Sequence, residues 1–260
     1  MGTPRGDQGR RQGETERLIK ITRPFYVGVR EIINKEFRQF KPRHTSGAET
    51  FRELSNGLHP AVMLTWEDAV DVWQQLSYRE SLELAYEKIN DQYQLIQPVT
   101  NGYRLLTEAE WEWLARFNGG AGKQRYPWGE SMPVATESCN YADESGEGLI
   151  ENILTDYWDG YPVTSPAEKF NPSPLGIYDL GGNVAEWVND YYAVYPHNLN
   201  QVELDPLGPG EGTARVIRGS SWIHSSISSL RFTYRDYGTL GRLDVGFRIA
   251  SYTDTSNIDE

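Results

Sequence analysis

Cysteine is almost missing from this chain of 260 residues, where Cys139 is the single one. One thiol excludes an intrachain disulfide framework, and no Cys/His cluster has the spacing of a zinc site, so the redox compartment stays open. Long apolar runs are missing as well. Nothing approaches the roughly 18 residues that would suggest a membrane span, and residues 1–20 are polar and arginine-rich rather than signal-like. Positive charge is short: 25 basic residues face 37 acidic ones, a net charge of −12. That field repels polyanions and excludes nucleic acid as a partner. Also lacking is any long Pro/Gly/Ser linker, so the sequence predicts a single domain over residues 1–260.

Aromatic residues are plentiful. Eight Trp and sixteen Tyr can build a core, one with many polar tips that need hydrogen-bond partners. Twenty-five Gly and fourteen Pro add many turns and suit an irregular, loop-rich α+β fold. The acidity could help attract divalent cations, although most surface carboxylates simply keep a protein soluble.

Local patterns place the first elements. Leu18 to Thr22 and Phe25 to Val29 read as strands, and Asn34 to Phe40 as a short helix bringing Phe37 and Phe40 to one face. Trp66, Ala69, Val70, Trp73 and Leu76 recur at helical spacing, which predicts a helix with a buried stripe. Thr107-Glu108-Ala109-Glu110 satisfies the capping box, so a helix should start there with Trp111, Leu114 and Ala115 inward and Trp113 free for a neighbouring surface. Residues 118 to 175 read mostly as loop, and a loop of that length is normally functional or held by something.

Four segments occur in a telling order. They are Met1-Gly2 followed by the run from Phe25 to Phe37; Tyr103 to Glu112; Leu175 to Trp187; and Arg218-Gly219-Ser220-Ser221-Trp222 running to Gly246-Phe247-Arg248. Together they resemble the formylglycine-generating enzyme family, also called the sulfatase-modifying-factor domain, over nearly the whole chain. The resemblance implies a variant of the C-type-lectin-like fold. Relatives place Met-Gly after a short opening strand, which implies that this chain is a piece of a longer protein, with any targeting segment, anchor or partner domain upstream of Met1.

The resemblance also implies bound ions. A calcium ion is expected on the Asp179 and Glu186 side chains with the Gly182 and Val184 carbonyls, across Gly181-Gly182. Calcium takes six to eight oxygens from carboxylates, carbonyls and water, so these donors suit it. The alternative is that both carboxylates merely tie a turn through backbone hydrogen bonds. A second set, less well matched in spacing, pairs the Asn140 and Asp156 side chains with the Tyr141 and Trp158 carbonyls, and Asp159 could replace Asp156.

What the resemblance implies for catalysis is missing from the residues. Catalytic relatives carry one cysteine two residues past the aromatic and another five residues later, a pair that binds copper as thiolates. Here the first position holds His224 and the second Ser229, or Ile227 in a shortened loop. No copper is therefore expected, and a structural or solvent-facing role suits His224. The run from Ser225 to Ser229 shows no base at nucleophilic spacing. Arg231, Arg235, Arg242 and Arg248 are expected to pair with neighbours such as Asp236 and Asp244 or with loop carbonyls.

Three readings follow. The first is a non-catalytic, calcium-stabilised domain that binds an unknown ligand or protein through the loop 219–245. Trp222, His224, Ser226, Ser228, Tyr234 and Tyr237 would form its recognition surface, as aromatic anchors beside small polar residues do in antibody loops; some bacterial and phage target proteins use this scaffold so. The second is a metal-dependent oxidoreductase of altered chemistry within the same family. The third is a structural appendage of a larger protein.

Overall fold

Thr107 opens the helix the sequence predicts. Its Oγ1 accepts the Glu110 N–H at 3.2 Å, and Glu110 returns its carboxylate to the Thr107 N–H at 2.8 Å. In this computed structural model, which describes residues 1–117 and 123–253, ten strands and three α-helices alternate with long irregular segments. In chain order they are β1 (Arg17–Lys20), β2 (Phe25–Val27), α1 (Asn34–Phe37), α2 (Trp66–Arg79), β3 (Tyr86–Ile89), β4 (Gln92–Leu95), α3 (Glu108–Arg116), β5 (Ala185–Tyr191), β6 (Asn198–Leu204), β7 (Arg215–Arg218), β8 (Arg235–Gly238), β9 (Val245–Gly246) and β10 (Ala250–Tyr252). The result is a loop-rich α+β fold with small sheets.

The central sheet runs β8-β7-β5-β9, with β9 parallel to β5 and the other pairs antiparallel. Every residue of β5 is buried, so this strand has the core on both faces. Three two-stranded ribbons surround the sheet: β1 with β6, β2 with β10, and the hairpin β3–β4. The hairpin turns on Asn90 and Asp91, both at positive φ, which is the backbone that a two-residue primed turn requires.

The tryptophan stripe of α2 is buried as the spacing predicts, with Trp66 and Trp73 in the main cluster beside Phe37, Trp187 and Phe247. Indole N–H groups then fix the elements to each other. Trp66 donates to the Val188 carbonyl of β5 at 2.8 Å, and Trp187 of β5 donates back to Leu64 just before α2 at 3.1 Å. α1 stops at Phe37, earlier than expected, and Phe40 packs at the cluster's margin.

Between α3 and the sheet lies a buried ionic layer. Arg218 of β7 meets Glu108 at 3.2 Å and Glu112 at 2.8 Å, and Arg235 of β8 takes Glu108 through two bonds of 2.5 and 2.9 Å. Arg104 closes on Glu110 at 2.7 and 2.9 Å. A third acidic residue of the helix, Glu112, also accepts from Arg116 at 2.8 Å and from the Gly2 N–H at 2.7 Å. Burial alone would push its carboxyl up, but the Arg218 and Arg116 charges outweigh burial and hold it at about 2.

The segment preceding β1 lies across the far end of the chain. Glu14 is buried and takes Arg231 through bonds of 2.6 and 2.7 Å, while Gly13 accepts from Arg235 at 2.5 Å. Among the described residues no helix is long and apolar enough to cross a membrane.

Glu112→Gln leaves Arg218 and Arg116 facing a neutral group in the interior. We expect a loss of about 3–5 kcal/mol of unfolding free energy at neutral pH, the usual cost of halving a buried pair. Because the folded value is depressed, the Glu112 contribution is present above about 4.5 and is lost as pH falls toward about 2. Denaturant titrations of both proteins across that window should therefore converge at its acidic end.

Candidate functional site

After β7 the chain enters the loop where the sequence leads one to look for chemistry. Ser220 donates to the Gly181 carbonyl at 2.6 Å, and the Trp222 N–H donates to Asn183 at 2.9 Å. Trp222 itself turns inward. Its indole donates to Leu243 at 3.1 Å, its ring meets Phe51 edge-on, and it packs with Leu54, Val62, Val163 and Val184. At 3% exposure it is a core residue, which corrects its expected place among the surface anchors.

His224 sits at the mouth of this loop. Its Nδ1 accepts the Ser221 N–H at 3.0 Å, so the neutral ring carries its proton on Nε2. Burial lowers its pKa, which keeps the ring neutral near pH 7. Ser221 Oγ lies 3.1 Å from the same Nδ1 and donates to Asp244 at 3.0 Å, and Arg242 clamps Asp244 and Asp236. Here the serine stands between carboxylate and imidazole. A nucleophilic triad needs the imidazole in the middle, so this cluster does not activate Ser221.

The other expected surface residues separate. Tyr234 meets the His224 ring edge-on, its centroid 5.5 Å away, but is buried, with the Arg11 guanidinium 4.7 Å over its ring. Ser226 and Ser229 share a hydroxyl bond of 2.7 Å, and Ser226 stays exposed while Ser228 lies half-buried beside Gly9. Tyr237 lies tilted against Tyr192, ring centroids 4.3 Å apart, on the face of β8 that also carries Arg235. The loop thus brings together His224, Ser226, Ser228 and the edge of Tyr234, with Ile223 and Ile227 exposed between them.

The thiol is elsewhere. Cys139 is buried beneath Gly182, with its Sγ 3.5 Å from Asp179 Oδ1. Burial, then the charges of Asp179 and Glu31, push this thiol well above its ordinary value, so it is no thiolate at neutral pH.

Asp179 and Glu186 have distinct surroundings. Glu186 is gripped by Arg248, at 2.6 to 3.0 Å, and accepts the Trp111 indole at 3.1 Å. Asp179 accepts the Glu168 N–H at 3.2 Å, and burial pushes its carboxyl up to about 6. Beside them is a residue the sequence reading passed over. Glu31 is fully buried, and among the described residues neither of its oxygens has a hydrogen-bond partner. Burial and the Asp179 charge raise it far above the usual carboxylate range, against the pull of Arg248. Three carboxyls therefore share one guanidinium. The signal was present as the acidic residue inside the apolar run from Phe25 to Ile33.

Gly181 and Gly182 serve close approach rather than left-handed turning. A Cβ on Gly181 would meet Pro127 at 2.4 Å, and one on Gly182 would meet Cys139 Sγ at 2.5 Å. The positive φ values fall instead on Asp179 and Asn183.

In the second expected set, the carboxylate that reaches Tyr141 is that of Asp159, not Asp156. Asp159 accepts the Tyr141 N–H at 2.9 Å and the Tyr161 N–H at 2.8 Å, while Asp156 is exposed and Trp158 is 67% exposed. Burial pushes Asp159 up to about 7. Asn140 donates to Val163 at 2.6 Å, and its buried Oδ1 has no partner among the described residues. Among the described residues no group of three or more His, Cys, Asp or Glu side chains converges as a metal cage, so any cation here would rely on amide and carbonyl oxygens too.

Residues 2–253 match the model of the sulfatase-modifying factor enzyme 1-like domain. The chain is 32% identical over 204 residues to the formylglycine-generating enzyme of Streptomyces coelicolor, covering 76% of this chain and 54% of that one. It is 29% identical over 280 residues to the inactive C-alpha-formylglycine-generating enzyme 2 of Mus musculus, covering 96% and 82%. It spans 45% of the Thermomonospora curvata formylglycine-generating enzyme, so about half the length of such relatives. In structure it is similar to Treponema denticola variable protein 1, with a TM-score of 0.71 and 24% identity, over 90% of this chain and 86% of the other. PvdO from Pseudomonas aeruginosa gives 0.68 at 23% identity, over 97% and 90%.

Cys139 provides a direct check on the placement of the thiol. Folded protein at pH 8 should resist iodoacetamide for hours and react at one equivalent only in denaturant; prompt alkylation without denaturant would put the thiol at the surface.

Proposed function

The chain belongs to the sulfatase-modifying factor enzyme 1-like domain family, and we propose that within it this protein is a non-catalytic binding domain, a calcium-braced variant of the C-type-lectin-like fold whose loop 219–245 contacts a ligand or protein partner. One observation carries this reading. By the spacing of the family's pattern, His224 and either Ser229 or Ile227 fall at the thiol positions, and His224 Nδ1 is already committed to the backbone N–H of Ser221. Soft thiolates are what copper(I) requires, and this loop offers an imidazole N–H and hydroxyls instead. The similar mouse protein named as inactive supports the same direction.

What the loop does offer suits recognition. Exposed Ile223, Ile227 and Leu240 alternate with Ser226 and the His224 ring, a mixture of apolar contact and adaptable hydrogen bonding. The scaffold behind it anchors the loop: Trp222 is buried, and Ser220 and Ser225 each bond a carbonyl outside 219–245.

Calcium fits the polar interior on two grounds. Glu31, Asp179 and Glu186 outnumber the single Arg248 among them, and the unpartnered Asn140 Oδ1 lies in the same segment as the carboxylate of Asp159. A bound calcium ion supplies positive charge and joins irregular loops through oxygen ligands. Asp179 with the Gly182 and Val184 carbonyls would hold one ion, and Glu186 would join only by loosening Arg248. Asn140, Asp159 and the Tyr141 carbonyl would hold a second.

Two measurements test the reading. Copper-loaded protein, incubated in air with a cysteine-containing peptide, should leave the peptide mass unchanged, and conversion of its cysteine to formylglycine overturns the non-catalytic assignment. Elemental analysis should find calcium. Chelation should lower the melting temperature by about 5–10 °C where the ion stood at a hundredfold over its dissociation constant. Asp179→Ala and Asp159→Ala should each remove part of that response, and a melt indifferent to chelator sinks the calcium brace.

A further inference from the structure

A cavity of about 910 Å³ opens between β1, the turn that follows it, and the outward face of α3. Its walls include Leu18, Ile21, Phe25, Trp113, Leu114 and Phe117, and it shares no residue with the loop after β7. Leu18 and Trp113 are each 42% exposed, although Phe25 meets the Trp113 ring edge-on at 6.4 Å. This volume lies within the roughly 300–1,000 Å³ of small-molecule sites, which are mostly apolar with a few placed polar groups.

The placed groups here are cations, in a chain of net charge −12. Lys20 and Lys123 line the cavity, and neither has a carboxylate partner among the described residues. Arg23 also lines it; its Nη1 is buried without an acceptor among the described residues, and its Nε reaches Asp205 only at 3.8 Å. The single carboxylate in the wall, Glu112, is consumed by Arg116, Arg218 and the Gly2 N–H. Arg17 is likewise taken, by Glu203. What remains beside the apolar hollow is positive charge, Lys20 and Lys123 without a carboxylate among the described residues and Arg23 only weakly paired to Asp205.

We propose that this cavity binds an amphiphilic monoanion, with its hydrocarbon body against Leu18, Phe25 and Trp113 and its carboxylate or sulfonate head at Lys20 and Arg23. Charge complementarity selects the head group, since an apolar hollow alone would accept a neutral chain equally well. The assignment is independent of the binding role given to the loop after β7, because no residue is common to both.

Decanoate and decyltrimethylammonium below their micelle-forming concentrations, and decanol below its solubility limit, serve as probes in calorimetric titrations of the whole chain. Decanoate should bind at one equivalent and at least tenfold more tightly than either of the others. Trp113→Phe should abolish most of the fluorescence change on binding while the heat persists. Leu18→Trp, which fills the hollow from an exposed position, and Lys20→Glu should each weaken decanoate at least tenfold with the melting temperature unmoved. Equal affinity for decanol overturns the anion assignment. Affinity untouched by Leu18→Trp places the ligand elsewhere, and absence of decanoate binding overturns the site itself.

Discussion

Buried guanidinium–carboxylate pairs hold this structure together, and most of what the sheets cannot do falls to them. Arg104, Arg218, Arg231, Arg235 and Arg248 are all buried, and each closes on a carboxylate from a distant segment or a different element. The strands are short, with at most seven residues, so ladder hydrogen bonds fix only small patches. An arginine reaches further. Arg218 alone touches Glu108, Glu112 and the Phe232 and Thr233 carbonyls, a spread that a lysine ammonium could not reproduce. Such pairs contribute little net stability against an apolar replacement, but each leaves a costly charge if its partner is displaced. They therefore penalise every alternative arrangement of the loops.

This division of labour explains how the scaffold can carry a changed loop. The ionic layer lies between α3 and the sheet, while His224, Ser226 and Ser228 hang from the end of β7. Ser220 and Trp222 anchor the start of the loop to Gly181 and Leu243 through atoms that any occupant of the next positions leaves untouched. The side chain at position 224 could thus vary while the frame kept its shape. The chemistry of the loop and the stability of the fold rest on separate sets of atoms.

Much of the frame was legible in the sequence because its signals are local. The capping box at Thr107 and the tryptophan stripe of α2 each depend on residues three or four apart, and both stand where the pattern put them. Long-range choices were not legible. Trp222 looks like a surface aromatic until Phe51 and Leu243 are known to enclose it. Asp159 rather than Asp156 reaches Tyr141 because Asp156 adopts a left-handed backbone and leaves its side chain outside. Glu31 went unnoticed since nothing in its neighbours announces that Asp179, some 150 positions later, will share its interior. The crowding that requires glycine at 181 and 182 is invisible in one dimension.

The contact between Glu14 and Arg231 spans 217 residues of chain. On a ribosome, at about 5–20 residues per second, Glu14 waits roughly 10–40 s before its partner exists. Until then Gly2 of the same segment can already meet Glu112 and Arg116, but the Glu14 carboxylate lacks its arginine. Closure of this clasp is thus a late event, governed by the slow joining of remote parts and not by local propensity. A chain that ended before residue 231 would keep its helices' local signals and lose the clasp that lets the two ends of the domain recognise each other.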